Sequence, residues 1–488
     1  MRLYNTLTRR EEPFAPSDAG TVRMYTCGLT VYARGHIGNF RTFVCLDVLR
    51  RVLKYQQGWR VRQVMNFTDV DDRTILESQK AGVPLREYTD RWIQAFREDA
   101  TALGLEPVEE TPRATDPENI EWMGKVIHDL EQRGHTYRSD GSIYFKIASF
   151  PEYGRLARLD HEGIKAGARV DADKYDKENA RDFVLWKGAR PGEPTWTPDD
   201  LGPGRPGWHI ECSAMALRLL GPPPIDLHAG GVDLIFPHHE NEIAQSEAAT
   251  GRPFSRFWVH TEHLMIENDS TDVDSKNVEG DPGRAAKMSK SLGNVFTVED
   301  VLGEGHRASA LRYALLAVHY RKQLRFSWEA LQDAEKAVRR WTDFSARVDT
   351  VAGGTAHKAI VTRIEEGKQA FAAMMADDLN TAGALGVLFD LLRALNAAID
   401  AGEVGRPDVP AIREAFDGFD RILGIMALRR AEDERPPMPL DQIERQIDAR
   451  RAARSARDFA TADRIRQELE AAGVVLEDSA AGTRWKRK

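Results

Sequence analysis

The sequence predicts an α/β protein in which a parallel sheet is interrupted by an insertion and followed by a helical bundle and a small C-terminal unit. Three observations predict it. Two strand signals, the short stretch Val22–Cys27 followed by Gly28 and the stretch Ile225–Gly231 ending in small residues, lead into helical patterns, as expected of strands whose carboxyl ends border a ligand crevice. From Ser309 to about Leu428 the spacing is almost purely helical, as in Leu311–Leu316 and Leu385–Ile399. The tail from Arg445 to Lys488 carries eleven Lys or Arg against seven Asp or Glu, in a chain whose formal charge is −8. The expected division is 1–124 with 205–308 for the sheet, 125–204 for the insertion, 309–430 for the bundle and 440–488 for the tail unit.

Composition narrows the function classes. Of 488 residues, 42% are apolar and 30% charged, the balance of a globular protein with room for two to four domains. No run of 18 apolar residues occurs, and Met1–Asn5 lacks the order of a signal peptide, so a cytoplasmic location without membrane contact is expected. The acidic total argues against diffuse polyanion binding, leaving local patches for any nucleic-acid contact. Three cysteines, Cys27, Cys45 and Cys212, build no disulfide framework, and each is available as a thiol.

Taken in order, Cys27 sits at the carboxyl end of its strand, and Gly28 lets the backbone turn close to whatever lies there. Cys45, among Phe43, Val44, Leu46 and Val48, reads as packing. His36 and Asn39 open the helix of Arg41 to Gln56, where backbone N–H groups attract phosphate. A second strand, Arg60 to Phe67, ends in Thr68-Asp69-Val70-Asp71-Asp72; Thr68 faces the expected pocket, and Asp71 and Asp72 are equally well read as helix caps. Residues 125–205 carry more Gly and charge and read as the insertion, or as a surface excursion without a contact role. Cys212 is expected to open the helix that runs to Leu220, its thiol made acidic by the positive N-terminus.

The stretch Phe236-Pro237-His238-His239-Glu240-Asn241-Glu242 holds four titratable groups in five residues. If Pro237 opens the helix, His238 and Glu242 project from one face at i and i+4, ready to ligate one metal; the plainer reading is a polar first turn that complements the dipole. With Cys27 and Cys212 they make two S, one N and one O donor, a set suited to zinc. His209 and His239 are read as supporting or packing residues. Glu267 to Ala286, rich in Asp, Ser and Gly, is expected to be a mobile loop leading into Lys287-Met288-Ser289-Lys290-Ser291.

The early His36-Ile37-Gly38-Asn39 and the late Lys287–Ser291 together resemble the paired signatures of class I aminoacyl-tRNA synthetases, whose Rossmann-like domain binds ATP between them. The class pattern has a second His where this chain has Asn39, which can donate a hydrogen bond but carries no charge. Within the class, Cys27, Cys212, His238 and Glu242 resemble the cysteinyl-tRNA synthetase family, and the likeness extends from Tyr25 to Lys488. It implies one Zn²⁺ per chain that binds the substrate's side chain, Mg²⁺ accompanying ATP, and L-cysteine, ATP and tRNA(Cys) as partners of a monomer. It implies His36, Lys287 and Lys290 as catalytic groups. ATP would lie on His36, Asn39, Gly230, Gly231, Asp233 and Lys290, and cysteine beside Gly28, Thr68, Trp208 and His228. The insertion would contact the acceptor stem. The segment Asp377–Thr381 resembles the family's helix-bundle signature, and Arg454, Asp463, Asp478 and Trp485 resemble its anticodon-reading module, for which a basic solvated helix is the alternative. Two other activities share these features: a ligase that transfers the cysteinyl group to an amino-sugar, and an inactive synthetase-like RNA-binding regulator.

Overall fold

A computed structural model describes residues 1–18, 20–159, 182–198, 201–266, 286–287, 295–434, 438–479 and 482–487. Its centre is a four-stranded sheet of β1 (Thr21–Thr26), β2 (Arg60–Met65), β3 (Ile225–Gly231) and β4 (Ser255–Thr261). The order is β4-β3-β1-β2, and every neighbouring pair is parallel. The chain steps from β1 to β2 on one side and later crosses to β3 on the other. The boundary between β1 and β3 is therefore the topological switch point, where the crevice of an open α/β sheet lies. β3 is buried from Ile225 to Gly230, and β1 is buried at Val22 and from Met24 to Thr26, as expected of parallel strands covered on both faces.

Helix α1 (Ile37–Arg51) leaves the β1 end and continues as one wide turn over Val52–Gln56. Helix α2 (Asp72–Ala81) begins with Asp71 as its N-cap; the Asp71 carboxylate accepts from the Thr74 N–H, and the Thr74 hydroxyl answers from the Asp71 N–H. Two apolar cores flank the sheet. One joins α1, Phe257 and Val259 to the C-terminal helices through Leu311, Trp341, Leu388 and Phe416. The other joins Tyr25, Val64 and Trp258 to helices α3 (Trp208–Leu220) and α4 (Glu240–Thr250) and to the insertion through Ile143, Phe145 and Trp186.

The insertion carries an antiparallel sheet of the strands Thr136–Ser139, Ser142–Phe145, Phe183–Gly188 and Gly204–Pro206. Its composition did not announce strands, because each is only three to six residues long. Beyond β4, six helices from Ala308–Leu316 to Met426–Glu434 form the helical region. One of them, Thr381–Asp400, is long and apolar enough to cross a membrane, but Leu385, Leu388, Leu391, Leu392 and Leu395 pack it into the first core. Arg312, fully buried, ties this region to the sheet by donating to the carbonyls of Leu423, Leu103 and Gly104 and to Asp47 on α1. The helices Leu440–Ser455 and Phe459–Ala471 and the hairpin of Val474–Ser479 with Gly482–Arg487 close around a small core of their own.

Candidate active site at the switch point

The switch point holds a cavity of about 490 Å³. Cys27, Cys212, His238, Thr68 and Trp208 line it, and so do His36, Asn39, Gly231 and Asp233. Gly28 lines it because nothing larger fits: a Cβ there would lie 1.7 Å from the Asn66 carbonyl oxygen, and its N–H donates to Asn66 Oδ1 at 3.0 Å. Asn66 in turn donates to Thr68 Oγ1, which donates to Glu211 Oε2 at 2.8 Å. Asn66 and Glu211 were missed from the sequence, Glu211 because a carboxylate beside Cys212 in a helix normally faces solvent. Here it is fully buried, and burial first, then the neighbouring Cys212, holds its carboxyl well above the usual range.

Four donors meet at one side of this cavity. Cys27 Sγ lies 3.8 Å from Cys212 Sγ and 3.5 Å from Glu242 Oε1, and His238 Nε2 lies 3.1 Å from the same oxygen. The donor atoms of all four residues fall within 4.8 Å of one another, and all four residues are buried. A tetrahedral zinc ion with bonds of about 2.3 Å to sulfur and about 2.1 Å to nitrogen or oxygen sets its ligands about 3.4–3.8 Å apart. The spacing and the chemistry of the set fit such an ion.

The local structure explains the convergence. Phe236 is extended (φ −138°, ψ 132°) and breaks the helical path, so Pro237 starts the turn that carries His238 one helical turn ahead of Glu242. Cys212 departs from expectation: α3 begins at Trp208 after the extended Gly207, so the thiol sits in the second turn and not at the N-terminus. Its acidity has another source. Burial pushes the Cys212 thiol up, but the hydrogen bond from Cys27 and the neighbouring His238 outweigh it and bring it to about 6. Burial and the same partner push Cys27 well above its ordinary value.

The donor atoms of a second quartet, Cys27, His228, His239 and Glu242, also lie within 4.8 Å of one another. It fits less well, because only Cys27 of these four lines the cavity, whereas Cys27, Cys212 and His238 of the first set do and keep the site open to a substrate. His228, expected near the substrate, does not line the cavity and contacts Glu242. Its Nε2 is 2.8 Å from Glu242 Oε2, its ring stacks on Trp258 at 4.4 Å, and its Nδ1 has no partner among the described residues. Glu242 thus turns one oxygen to the thiols and the other to an imidazole that orients it, the usual support for a metal-binding carboxylate. His239 bridges Cys27 Sγ at 3.4 Å and His260 at 2.8 Å. His209 lies 3.0 Å from His238, and Trp208 stacks on His238 at 4.3 Å. At the start of α4, Glu240 accepts from the backbone N–H groups of Gly154, Leu156 and Ala157, binding the insertion to that helix.

At the other end of the cavity His36 caps α1. Its Nδ1 accepts from the Asn39 N–H at 3.2 Å, and Asn39 Oδ1 accepts from the His36 N–H at 3.0 Å. Asn39 therefore has a local task that fixes the helix start. Gly231 and Asp233 face this end, while Gly230 is displaced from the lining and packs against Leu234 and His239. Ala286–Lys287 pairs with Leu264–Ile266 beside the cavity; Lys290 and the acidic segment 267–285 lie outside the described residues. In the C-terminal unit Asp478 accepts from Arg450 through both oxygens and from Arg454 at 2.8 Å, which with Thr483 holds its carboxyl well below the usual range. Trp485 packs on the small core and Asp463 is exposed, so Arg454 and Asp478 are brought together and the other two are not.

Comparison with known proteins agrees with this geometry. Residues 13–336 match the tRNA synthetases class I (C) catalytic domain, and residues 370–427 match the DALR domain. The cysteine–tRNA ligase of Solibacter usitatus is 47% identical over 489 residues, covering 100% of both chains. That of Koribacter versatilis is 44% identical over 516 residues, again 100% of both. Among solved structures, methionyl-tRNA synthetase of Mycobacterium tuberculosis with methionyl-adenylate aligns at TM-score 0.58 and 16% identity over 84% of this chain and 89% of that one, a likeness of fold. The parallel sheet with its switch-point cavity and the full-length relatives agree, and the chain belongs to the cysteine–tRNA ligase family of class I aminoacyl-tRNA synthetases.

Proposed function

We propose that the protein ligates L-cysteine to tRNA(Cys) at the expense of ATP, through a cysteinyl-adenylate. The observation that carries this reading is the convergence of two thiols and an imidazole lining the cavity with a buried carboxylate beside them, the far end of the cavity being the His36-capped helix. Cys27, Cys212, His238 and Glu242 would hold one zinc ion, which supplies a Lewis-acidic position that prefers a soft thiolate to a hydroxyl. Trp208 and Thr68 border the remainder of the amino acid, Gly28 keeps the backbone close to it, and His228 orients Glu242 from behind.

The substrate carboxylate is ionised at neutral pH and needs no general base, so these residues act by positioning and by stabilising charge. His36 and the N–H groups of α1 face the phosphates, with Asn39 holding the cap and Gly230, Gly231 and Asp233 shaping the nucleotide end. Lys287 and Lys290 would bring positive charge to the leaving pyrophosphate, and Mg²⁺ would accompany ATP. The attacking group in the second step is the terminal ribose hydroxyl of the tRNA. The division into 1–124 with 205–308, 125–204, 309–430 and 440–488 assigns adenylation, acceptor-stem contact, bundle and anticodon contact, the last through Arg454, Asp463, Asp478 and Trp485. The protein is read as a cytoplasmic monomer. Incubation with purified tRNA, ATP and labelled cysteine tests the assignment: cysteinyl-tRNA is the expected product, whereas adenylate formation with transfer only to an amino-sugar would overturn it.

A further inference from the structure

Two cations line the same cavity in an arrangement that strand pairing alone disfavours. Lys187, near the end of the strand Phe183–Gly188, and Arg205, at the centre of Gly204–Pro206, are direct partners in an antiparallel register. Directly opposed residues project from one face of a sheet, and like charges so placed repel. Solvent does little to relieve this, since the side chains of Lys187 and Arg205 are only 8% and 3% exposed. The two strands are also held close, because a Cβ on Gly204 would lie 2.3 Å from the Lys187 carbonyl oxygen.

What joins the cations is a carboxylate from another element. Asp72, the first residue of α2, bridges Lys187 Nζ at 3.0 Å through one oxygen and Arg205 at 2.5 Å through the other. Glu193 takes the Arg205 Nε at 2.7 Å. Burial raises the Asp72 carboxyl, and the two cations outweigh it and lower it. Yet the Asp72 side chain is 61% exposed, so an oxyanion occupies the point between two buried cations while remaining free to leave toward solvent. A buried cation pair closed by an exposed carboxylate is suited to exchange that carboxylate for phosphate, whose oxygens match the guanidinium fork.

We propose that Lys187 and Arg205 form the binding position for the last phosphodiester of the tRNA, with Asp72 as the occupant it displaces. This rests on the functional reading above and adds to it a named contact for the acceptor end. The location favours tRNA over the ATP phosphates: the pair comes from the insertion sheet, whereas the phosphate-facing His36 belongs to α1. The phosphodiester that precedes the terminal ribose lies within one nucleotide of the hydroxyl that attacks. Seating it on this pair would place that hydroxyl in the cavity.

The test is a cycle between protein and nucleic acid. Single-turnover transfer is measured for the wild type and Lys187→Gln, each with natural tRNA and with tRNA carrying a neutral methylphosphonate at the last phosphodiester. ATP–pyrophosphate exchange is followed in parallel. Each change alone is expected to slow transfer at subsaturating tRNA about tenfold, the two together no more than either, and Lys187→Arg to recover most of the loss. Losing one phosphate contact should also lower the slope of log affinity against log salt by about 0.7. Independent, multiplying losses would overturn the proposal, as would a loss confined to the ATP KM. If Lys187→Gln does not fold, the methylphosphonate series on the wild type still decides, because an unchanged transfer rate contradicts the assignment. Failure of the functional reading itself would look different, since the wild type would then form no cysteinyl-tRNA even from natural tRNA, whether or not it showed cysteine-dependent exchange.

Discussion

Glu242→Ala is expected to lose stoichiometric zinc and to raise the cysteine KM by about 100-fold or more, with the ATP KM changed far less. The estimate is a lower bound by comparison, because removing a residue that merely supports a metal ligand already costs about 10–100-fold in metal affinity. Glu242 does two things at once: Oε1 stands 3.1 Å from His238 and 3.5 Å from Cys27, and Oε2 holds His228. Alanine removes both and leaves His228 buried without that partner. Glu242→Gln separates the two, since the amide can still pair with His228 but supplies no negative charge to the thiols. Zinc content by elemental analysis and cysteine-dependent ATP–pyrophosphate exchange are the measurements. Normal zinc and cysteine KM in both variants would shift the site to another set of donors.

Arg312→Met is expected to destabilise the fold by about 3–5 kcal/mol, the usual cost of removing one member of a buried charge pair. Arg312 is fully buried and serves four acceptors on three segments: Asp47, the Leu103 and Gly104 carbonyls, and the Leu423 carbonyl. Methionine fills much of the volume but leaves those oxygens without their shared donor. Asp47 keeps Arg51 and the Glu106 N–H, so the loss concentrates on the carbonyls that join the helical region to the sheet. Urea unfolding followed by circular dichroism reads the change, and a loss below about 1 kcal/mol would mean that apolar packing alone holds the two regions together.

Much of the fold was legible because physics writes it locally. Val22–Cys27 and Ile225–Gly231 are short, β-compatible stretches that end in small residues at a turn, as strands bordering a crevice do, and Leu385–Ile399 has the period of a helix packed on one side. The strand Ser255–Thr261 was not, since Arg256 and His260 interrupt its apolar run while their neighbours are buried. The start of α3 was misplaced at Cys212 because Gly207 caps the helix without a side-chain signal. Asn39 showed the reverse: what reads as a departure from a class pattern has a local reason in its bond to the His36 N–H.

The candidate site was legible as residue types and not as a place. Cys27 and Cys212 are 185 positions apart and meet only because β1 and α3 border one crevice. The supporting residues were the least visible. Nothing in the sequence around Asn66, Glu211 or Glu240 says that each is buried and bonded to a neighbour at the site, because such partners come from other segments. His228, set near the substrate by resemblance, is bonded to Glu242 and does not itself line the cavity, a contact that nothing in its own segment announces.

The central claim is that a metal held by Cys27, Cys212, His238 and Glu242 reads the thiol of the amino acid. A pocket that sorts by size distinguishes near isosteres only weakly, so rejection of serine must come from sulfur-selective coordination. The most direct measurement is ATP–pyrophosphate exchange with cysteine and with serine, before and after zinc is stripped and restored. The expected result is strong preference for cysteine in the zinc-loaded protein, collapse of that preference on stripping and its return with zinc. Undiminished discrimination by zinc-free protein would contradict it.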